Sequence, residues 1–481
     1  MFVKNSLQTA NWPRKRNNGI LKNMENLQTL KHKVFHSLVW NSFEAIAYQA
    51  ILFTHQCLLF WLIDRSLYAG QSTLFAGSFL GITLLNVALE SSMISSFLKV
   101  TTSQKNFKRF LIQSIGLQAL ILFFGTLFIG FCLTQYTFTF FAQDLITPFW
   151  IFIIALFITS EGTKKNLRAL LHLAFQNKQT AWIEVGNIIV YVSSIWIMKL
   201  LSVTFSLLTL ILPFLVVSVI TNICLLKTLH QYYTTLPQLP LSENNHNTFT
   251  FINKNRLFLY GNELSRLVFS SNFLLPFFAC TSGLKQAGIA AFINSVTHCA
   301  TFFIQKIFGA SGAALFAGTT ASSLKTKQAA FTYLNQKCFY VLLSILMLFS
   351  INFSHFIRLN IETGSVKTLT LTYIFFLAHF LENIFVLYEK LFAAEKKAHY
   401  TLFCNLISLL ACCLLVFFCR SFPMTFLLLG CITLRFGAFL GLALSAKRIW
   451  NLDFTFSYKN SEWIAPLVFS LLCYCILFFK N

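Results

Sequence analysis

The chain has 481 residues and a formal net charge of +22, yet only 11% of its residues are charged while 56% are hydrophobic. A water-soluble protein of this length needs a far larger charged fraction to cover its surface, so the composition excludes a soluble globular fold. Apolar runs of about 17–25 residues recur along the chain, each long enough to cross the ~30 Å hydrocarbon core of a bilayer as a helix. The composition therefore predicts an all-α polytopic membrane protein.

Thirteen apolar segments are predicted to span the membrane. In chain order they are 36–63, 72–98, 110–134, 145–163, 181–198, 203–226, 257–280, 286–318, 338–357, 368–388, 398–419, 422–446 and 463–479. The polar, basic segment before the first of them shows no cleavable signal-peptide pattern, so we expect it to stay on the mature chain. The thirteenth segment is interpreted as a helix appended to a core of twelve.

The distribution of Lys and Arg predicts the orientation of these spans. With the N-terminus in the cytoplasm, 27 of the 37 Lys and Arg residues fall on the cytoplasmic side and seven on the opposite side. Such an asymmetry is the positive-inside pattern of membrane proteins. The basic excess therefore sets orientation and attracts anionic lipid headgroups, and nucleic acid is not an expected partner.

A weak internal repeat divides the chain at its middle. With a shift of 219 residues, LVWNSFE, which ends at Glu44, lies over LFLYGNE, which ends at Glu263. Such self-similarity is typical of a transporter built from two structural repeats, although chance similarity between two Phe-rich helices remains the alternative. The predicted organisation is a basic cytoplasmic N-terminal segment (1–35), an N-terminal six-helix bundle (36–228), a cytoplasmic linker (229–256), a C-terminal six-helix bundle (257–446), and a connector with an extra C-terminal helix (447–481).

Three short motifs resemble one family of transporters. LIDRSLYAGQSTLFAGSF contains Arg65 and Leu67 of an Arg-x-Leu-Gly turn, SGLKQAGIAAFINSV contains a Gly-Leu-x-x-x-Gly turn, and YEKLFAAEKKAHYTLFCNLIS is a basic connector. Together they resemble polysaccharide transporters, the Wzx-type oligosaccharide flippases of the multidrug/oligosaccharidyl-lipid/polysaccharide (MOP) exporter superfamily. In the first motif Tyr68 and Thr73 stand where that family has glycines.

The resemblance implies a fold and an activity. The implied fold is two six-helix bundles around a central cavity, in the inner (plasma) membrane of a bacterium. The implied activity is alternating access that flips a polyprenyl-diphosphate-linked oligosaccharide, a precursor of cell-surface polysaccharide. The implied partners are that lipid-linked sugar, membrane lipids, and polysaccharide polymerase or assembly proteins.

Most candidate site residues are charged or titratable residues inside predicted spans, because each charge costs ~2.5–3.5 kcal/mol at the bilayer centre and should face a cavity or a partner; Arg65 lies just after the first span. Glu263 and Arg266 share one helix face, either as a self-neutralising pair or as cavity-lining groups. The candidate ligands for a substrate diphosphate are Arg266, Arg435, Lys306 and Arg65. The candidates for ion or proton coupling are Glu44, Glu263, His379, Glu382 and His298. Glu90, Glu161 and Glu184 lie near predicted span ends and are assigned no role.

Other functions remain alternatives on the sequence. A cation-coupled multidrug-type exporter would use the buried acids, and a flippase for a lipid-linked peptidoglycan precursor would share the fold. An enzyme is not expected, because the predicted outer loops are short; QYTFTFFAQD, among the longest, offers only Asp144. The 13 Cys residues show no metal-ligand spacing with one another or with His, so no metal and no cofactor are predicted.

Overall fold

A computed structural model of the chain describes residues 21–101, 103–135, 147–236, 254–267, 288–295, 305–319, 323–336, 386–418 and 424–452, with a few isolated positions between 270 and 341. Every regular element within these ranges is a helix, which confirms the predicted all-α fold class. The α-helices are α1 (Leu21–Leu62), α2 (Arg65–Leu85), α3 (Leu89–Val100), α4 (Gln104–Phe110), α5 (Leu117–Gln135), α6 (Pro148–Leu173), α7 (Asn177–Leu200), α8 (Leu207–Thr234), α9 (Lys254–Leu267), α10 (Ala310–Thr319), α11 (Val386–Ala394), α12 (Ala398–Phe418) and α13 (Met424–Trp450). Residues 288–295 and 324–336 are helical as well.

Several of these helices are long and apolar enough to cross a bilayer. Among the described residues they are His32–Leu62, Gln104–Cys132, Asn177–Leu200, Leu207–Thr234 and Ala398–Phe418, joined by the bent pair α2 and α3. Their outward faces carry large exposed apolar side chains, such as Phe128 and Phe417. In a bilayer these faces contact lipid tails, so the chain is a multi-pass membrane protein.

Among the described residues, three predicted spans depart from continuous α-helices, and one of them, the span predicted at 286–318, contains the π-helical segment Gln305–Gly309. The span predicted at 72–98 is broken, because α2 ends at Leu85, α3 begins at Leu89, and the two helices are bent by 46°. Val87 and Ala88 have positive φ angles of 47° and 51° at this break. The span predicted at 110–134 contains a π-helical segment, Leu111–Gly116, between α4 and α5.

The middle of the chain is more helical than expected. α8 continues to Thr234 and α9 begins at Lys254, so both ends of the linker predicted at 229–256 belong to helices. Most of that linker and the span predicted at 463–479 lie outside the described residues. The division into domains therefore stays a prediction.

Local sequence explains where several helices begin. Asp64 caps α2 by accepting the backbone N–H of Ser66, and Ser103 caps α4 in the same way. Thr147 caps α6, whose next residue is a proline with a backbone suited to the first helical turn. Ser206 opens α8 with a capping box. Each cap satisfies backbone donors that a helix start leaves unpaired.

The helices pack as two halves that meet along a seam. In the first half α1 packs on α7 while α6 packs on α5 and α8; in the second half α12 packs on α9 and α13. Across the seam, α3 contacts α9, α10 and α11, and α1 contacts α10. One buried apolar cluster crosses this boundary, with Leu89 and Ile94 of α3 joined to Phe316 and Leu387 of the second half.

Candidate functional site

The seam is charged at the end of the molecule that is predicted to face the cytoplasm. Glu90 of α3 lies 3.3 Å from the Nζ of Lys165 on α6 and 3.6 Å from the Nζ of Lys390 on α11. Next to it, the Ser91 hydroxyl donates a 2.9 Å hydrogen bond to Glu263 on α9. We call these five residues the charged seam. Since Lys165 belongs to the first half and Lys390 to the second, Glu90 joins the two halves electrostatically.

Arg266, predicted to share a helix face with Glu263, has its partner on another helix. Its guanidinium forms a half-buried ion pair with Glu389 of α11. Glu263 accepts its hydrogen bond from Ser91 of the first half. The two charges are therefore held by contacts to other helices, and the predicted self-neutralising pair does not describe these contacts.

A polar contact between the halves lies beside the charged seam. The hydroxyl groups of Ser37 on α1 and Ser311 on α10 are 3.1 Å apart, and Asn41 donates to Ser311 over 3.0 Å. Asn177 of α7 donates to Ser37 over 2.8 Å and contacts the His172 ring. These buried side chains link α7, α1 and α10 by hydrogen bonds.

Three buried carboxylates form an acidic cluster inside the first half. Glu44, Glu161 and Glu184 are 0%, 5% and 1% exposed. Lys164 lies 2.6 Å from Glu161, and Arg168 lies 3.6 Å from Glu184. Glu161 and Glu184 therefore each have a basic side chain as an ion-pair partner, and their burial makes such pairing necessary.

Arg168 connects the acidic cluster to the charged seam. Its guanidinium interacts electrostatically with Glu184 and Glu44 of the cluster, and also with Glu90 of the seam. Arg168 therefore faces carboxylates of both the acidic cluster and the charged seam.

Sequence reasoning missed Glu161 and Glu184, which it placed near the ends of spans. The helices are longer than those spans, because α6 runs to Leu173 and α7 begins at Asn177, so both acids lie inside helices. The spacing of Glu161, Lys164 and Arg168 was the available signal, since residues three or four apart share one helix face.

The opposite end of the seam is aromatic and tightly packed. Phe60 at the end of α1 stacks on Phe292, with ring centroids 4.5 Å apart. Gly288 approaches the start of α2 so closely that a Cβ there would lie 3.0 Å from the Arg65 carbonyl oxygen. We call this contact the outer seam. The Arg65 side chain is exposed beside it, at 5.8 Å from the Phe60 ring centroid, and so lies apart from Arg266.

Arg435 lies in the interior of the second half. Its Nη1 donates a 2.6 Å hydrogen bond to Asn405 of α12, and the Asn405 amide donates to Asn262 of α9. Arg435 therefore contributes to a buried polar network among α9, α12 and α13. The side chains of the remaining candidates lie outside the described residues; they are Lys306, His298, His379 and Glu382.

No protein-family model matches the sequence, and no curated protein matches it. Solved structures do share the fold, which is that of a two-bundle helical membrane transporter. They are MATE transporters, a group placed in the MOP superfamily.

Three of these structures illustrate the likeness. The outward-facing conformation of a multidrug resistance MATE family transporter aligns with a TM-score of 0.62 at 14% identity, covering 89% of this chain and 98% of that one. MATE in complex with MaL6 aligns with a TM-score of 0.63 at 14% identity, covering 89% and 99%. A mutant of the Vibrio cholerae MATE transporter VcmN gives 0.57 at 11% identity, covering 90% and 100%. The likeness confirms the predicted two-bundle fold.

Proposed function

We propose that this protein is a membrane exporter that works by alternating access, and that it flips a polyprenyl-diphosphate-linked oligosaccharide. The observation that carries the proposal is the position of Glu90 between Lys165 and Lys390, which closes the seam at the predicted cytoplasmic end with charges. In an alternating-access cycle this end must open to admit the substrate and close again before release.

The charges of the seam suit a diphosphate. A diphosphate approaching from the cytoplasm competes with Glu90 for Lys165 and Lys390, and with Glu389 for Arg266. Arginine is suited to this exchange, since its planar fork binds two phosphate oxygens at once. The substrate would thereby loosen the ion pairs that hold the halves together. Binding that favours the open state in this way shifts the conformational equilibrium toward it.

The two ends of the seam differ in a way that fits transport in one direction. The cytoplasmic end is held by ion pairs that a charged ligand can exchange, whereas Phe60 and Phe292 at the outer end hold apolar surfaces together. A charged headgroup therefore acts first on the cytoplasmic end.

A reconstitution experiment tests the proposal. The protein is placed in lipid vesicles with a fluorescent polyprenyl-diphosphate sugar, and the fraction of label in each leaflet is followed by an impermeant quencher. We expect flipping by the parent chain and at least about a tenfold loss when Lys165 and Lys390 are both changed to Ala, as for loss of two charge-assisted contacts. Lys327→Ala is the matched control, because Lys327 pairs with Glu395 within the second half. No flipping by the folded parent chain would overturn the proposal.

The acidic cluster favours a second candidate, a cation-coupled exporter of small amphipathic molecules. Its three buried carboxylates would take up a proton, and Arg168, which interacts with Glu184, Glu44 and Glu90, would carry the change to Glu90. One aligned structure is described as a multidrug resistance transporter, which is the same class. The same vesicles loaded with a fluorescent cationic dye discriminate the two candidates. Dye export that a pH or Na⁺ gradient drives, and that Glu44→Gln abolishes, would favour this second candidate.

A further inference from the structure

The break between α2 and α3 is held by side chains from distant parts of the chain. A helix end leaves backbone carbonyls without an intrahelical partner, and hydrocarbon offers no water to bind them. A break inside a predicted span therefore persists only if other groups of the protein donate to those carbonyls.

Arg256 supplies most of this support from the second half. The side chain is fully buried, and its Nε donates a 2.6 Å hydrogen bond to the carbonyl of Val87. Its Nη2 donates to the carbonyl of Asn86 over 3.2 Å and to the Gln118 side-chain oxygen over 2.8 Å. One guanidinium therefore binds two carbonyls of the break and a side chain of α5.

The two preceding carbonyls have donors as well. The Tyr260 hydroxyl, one turn along α9 from Arg256, donates to the Leu84 carbonyl over 2.7 Å. The Gln118 amide donates to the Leu85 carbonyl over 2.6 Å. Four consecutive carbonyls of the break are thus bound by side chains, and α9 supplies the donors for three of them.

The first half holds the same break from its other side. The amide groups of Asn86 and Asn166 exchange two hydrogen bonds, of 3.1 Å and 2.9 Å. The break is therefore fixed by both halves. The short helix that follows it, α3, carries Glu90 and Ser91 into the charged seam.

We propose that Arg256 is a positioning residue for the charged seam. By holding the Asn86–Val87 carbonyls from the second half, it sets the direction of α3 and thereby places Glu90 between Lys165 and Lys390. The inference rests on the proposed transporter function, in which this end of the seam opens and closes. When this end of the seam opens, Arg256 of α9 must lose its hydrogen bonds to the Asn86 and Val87 carbonyls. These hydrogen bonds and the ion pairs of Glu90 therefore break together.

Arginine has properties that lysine lacks at this position. The planar guanidinium of arginine donates hydrogen bonds in several fixed directions and stays charged when buried. The ammonium of lysine is a compact point charge that cannot donate in the same directions. A positive charge is also favoured at the C-terminal end of α2 by the helix dipole. Arg256→Lys therefore keeps the charge and loses the geometry, which makes it the informative variant.

The test measures how often α3 opens. The 13 native cysteines are replaced, and Ser92→Cys on α3 reports access, because Ser92 is buried and its hydroxyl donates to the Leu89 carbonyl of the same helix. The rate of labelling by an impermeant thiol reagent is measured in vesicles without substrate. We expect Arg256→Lys and Arg256→Gln to raise it about tenfold by increasing local opening, at unchanged abundance. Arg109→Lys is the matched control, since Arg109 is exposed and bonds to Gln113 one turn away.

A milder variant keeps the test decisive if the Arg256 variants fail to insert. Tyr260→Phe removes only the hydroxyl that donates to the Leu84 carbonyl. We expect the labelling rate at Ser92→Cys to rise less than in the Arg256 variants, and not to rise in the Arg109→Lys control. Labelling equal to that of the parent chain in the folded variants would overturn the inference. Because no substrate is used, a chain that fails the flipping assay while Arg256→Lys still raises labelling would refute the proposed function and leave the positioning role intact.

Discussion

Glu90 of α3 lies within 3.6 Å of two lysines from opposite halves of the protein, Lys165 on α6 and Lys390 on α11. A single carboxylate thus joins the halves at the predicted cytoplasmic end. An ion pair between fully exposed side chains contributes little to stability. The Glu90 side chain is only 29% exposed, so water and salt screen its attraction to the lysines less than they would at an open surface.

Replacing this carboxylate should loosen the seam. We expect Glu90→Gln to raise thiol labelling at Ser311→Cys about tenfold, because the amide no longer attracts the two lysines and local opening becomes more frequent. Glu395→Gln is the matched control, since Glu395 pairs at 2.8 Å with Lys327 of the same half. Equal labelling in the two variants would show that Glu90 does not hold the halves together.

Arg266 and Glu389 should behave as a coupled pair. Changing either one alone to Gln leaves a half-buried charge without its partner, and we expect a loss of roughly 1–3 kcal/mol in stability. The double variant should recover most of that stability and still flip the lipid-linked sugar more slowly than the parent chain, because one of the cations proposed for the diphosphate is gone. Thermal unfolding in detergent and the vesicle assay measure the two effects. Normal flipping by the folded double variant would make the pair purely structural.

The acidic cluster predicts a dependence on the pH gradient. In Glu184→Gln, Arg168 loses its 3.6 Å partner and the cluster loses one titratable group, so we expect the transport rate to become insensitive to an imposed gradient. Asp64→Asn serves as the control, since Asp64 is an exposed helix cap and asparagine caps equally well. If Glu184→Gln kept the full response to the gradient, the cluster would have no part in coupling.

The outer seam should be sensitive to one methyl group. Alanine at Gly288 places its Cβ 3.0 Å from the Arg65 carbonyl, whereas a Cβ at Gly77 would meet nothing within 4 Å. We expect Gly288→Ala to be less stable than Gly77→Ala by roughly 1–3 kcal/mol, as for overpacking against a fixed backbone. Matched thermal unfolding of the two variants checks this, and equal stability would mean that the outer seam adapts without cost.

The sequence predicted the fold class, and the long apolar helices among the described residues overlap predicted spans, because hydropathy and charge asymmetry are summed over many residues. It did not predict the break in the second span. Asn86, Val87 and Ala88 include no Gly or Pro, and the break exists because Asn166 and Arg256 bind it from distant segments. Such long-range contacts leave no local signal.

The site was predicted in part. Glu44 and Glu263 are partly or fully buried, as expected of charged groups inside spans, but their neighbours come from helices that the sequence could not bring together. Arg256 was assigned to the linker because it adjoins a polar stretch, and the structure buries it completely. A residue next to a span boundary can lie on either side of it, and tertiary packing decides which.

Alternating access requires that the two halves separate at the predicted cytoplasmic end of the seam. Ser37 and Ser311 belong to opposite halves, and their hydroxyl groups are 3.1 Å apart, so Ser37→Cys with Ser311→Cys should form a disulfide in the cysteine-free chain. Ser160 and Ser218, at 2.9 Å within the first half, give the matched control pair. We predict that oxidation of the first pair stops flipping and that reduction restores it. Oxidation of the control pair should leave the flipping rate unchanged. Transport at the parent rate through the oxidised Ser37–Ser311 pair would contradict alternating access at this seam.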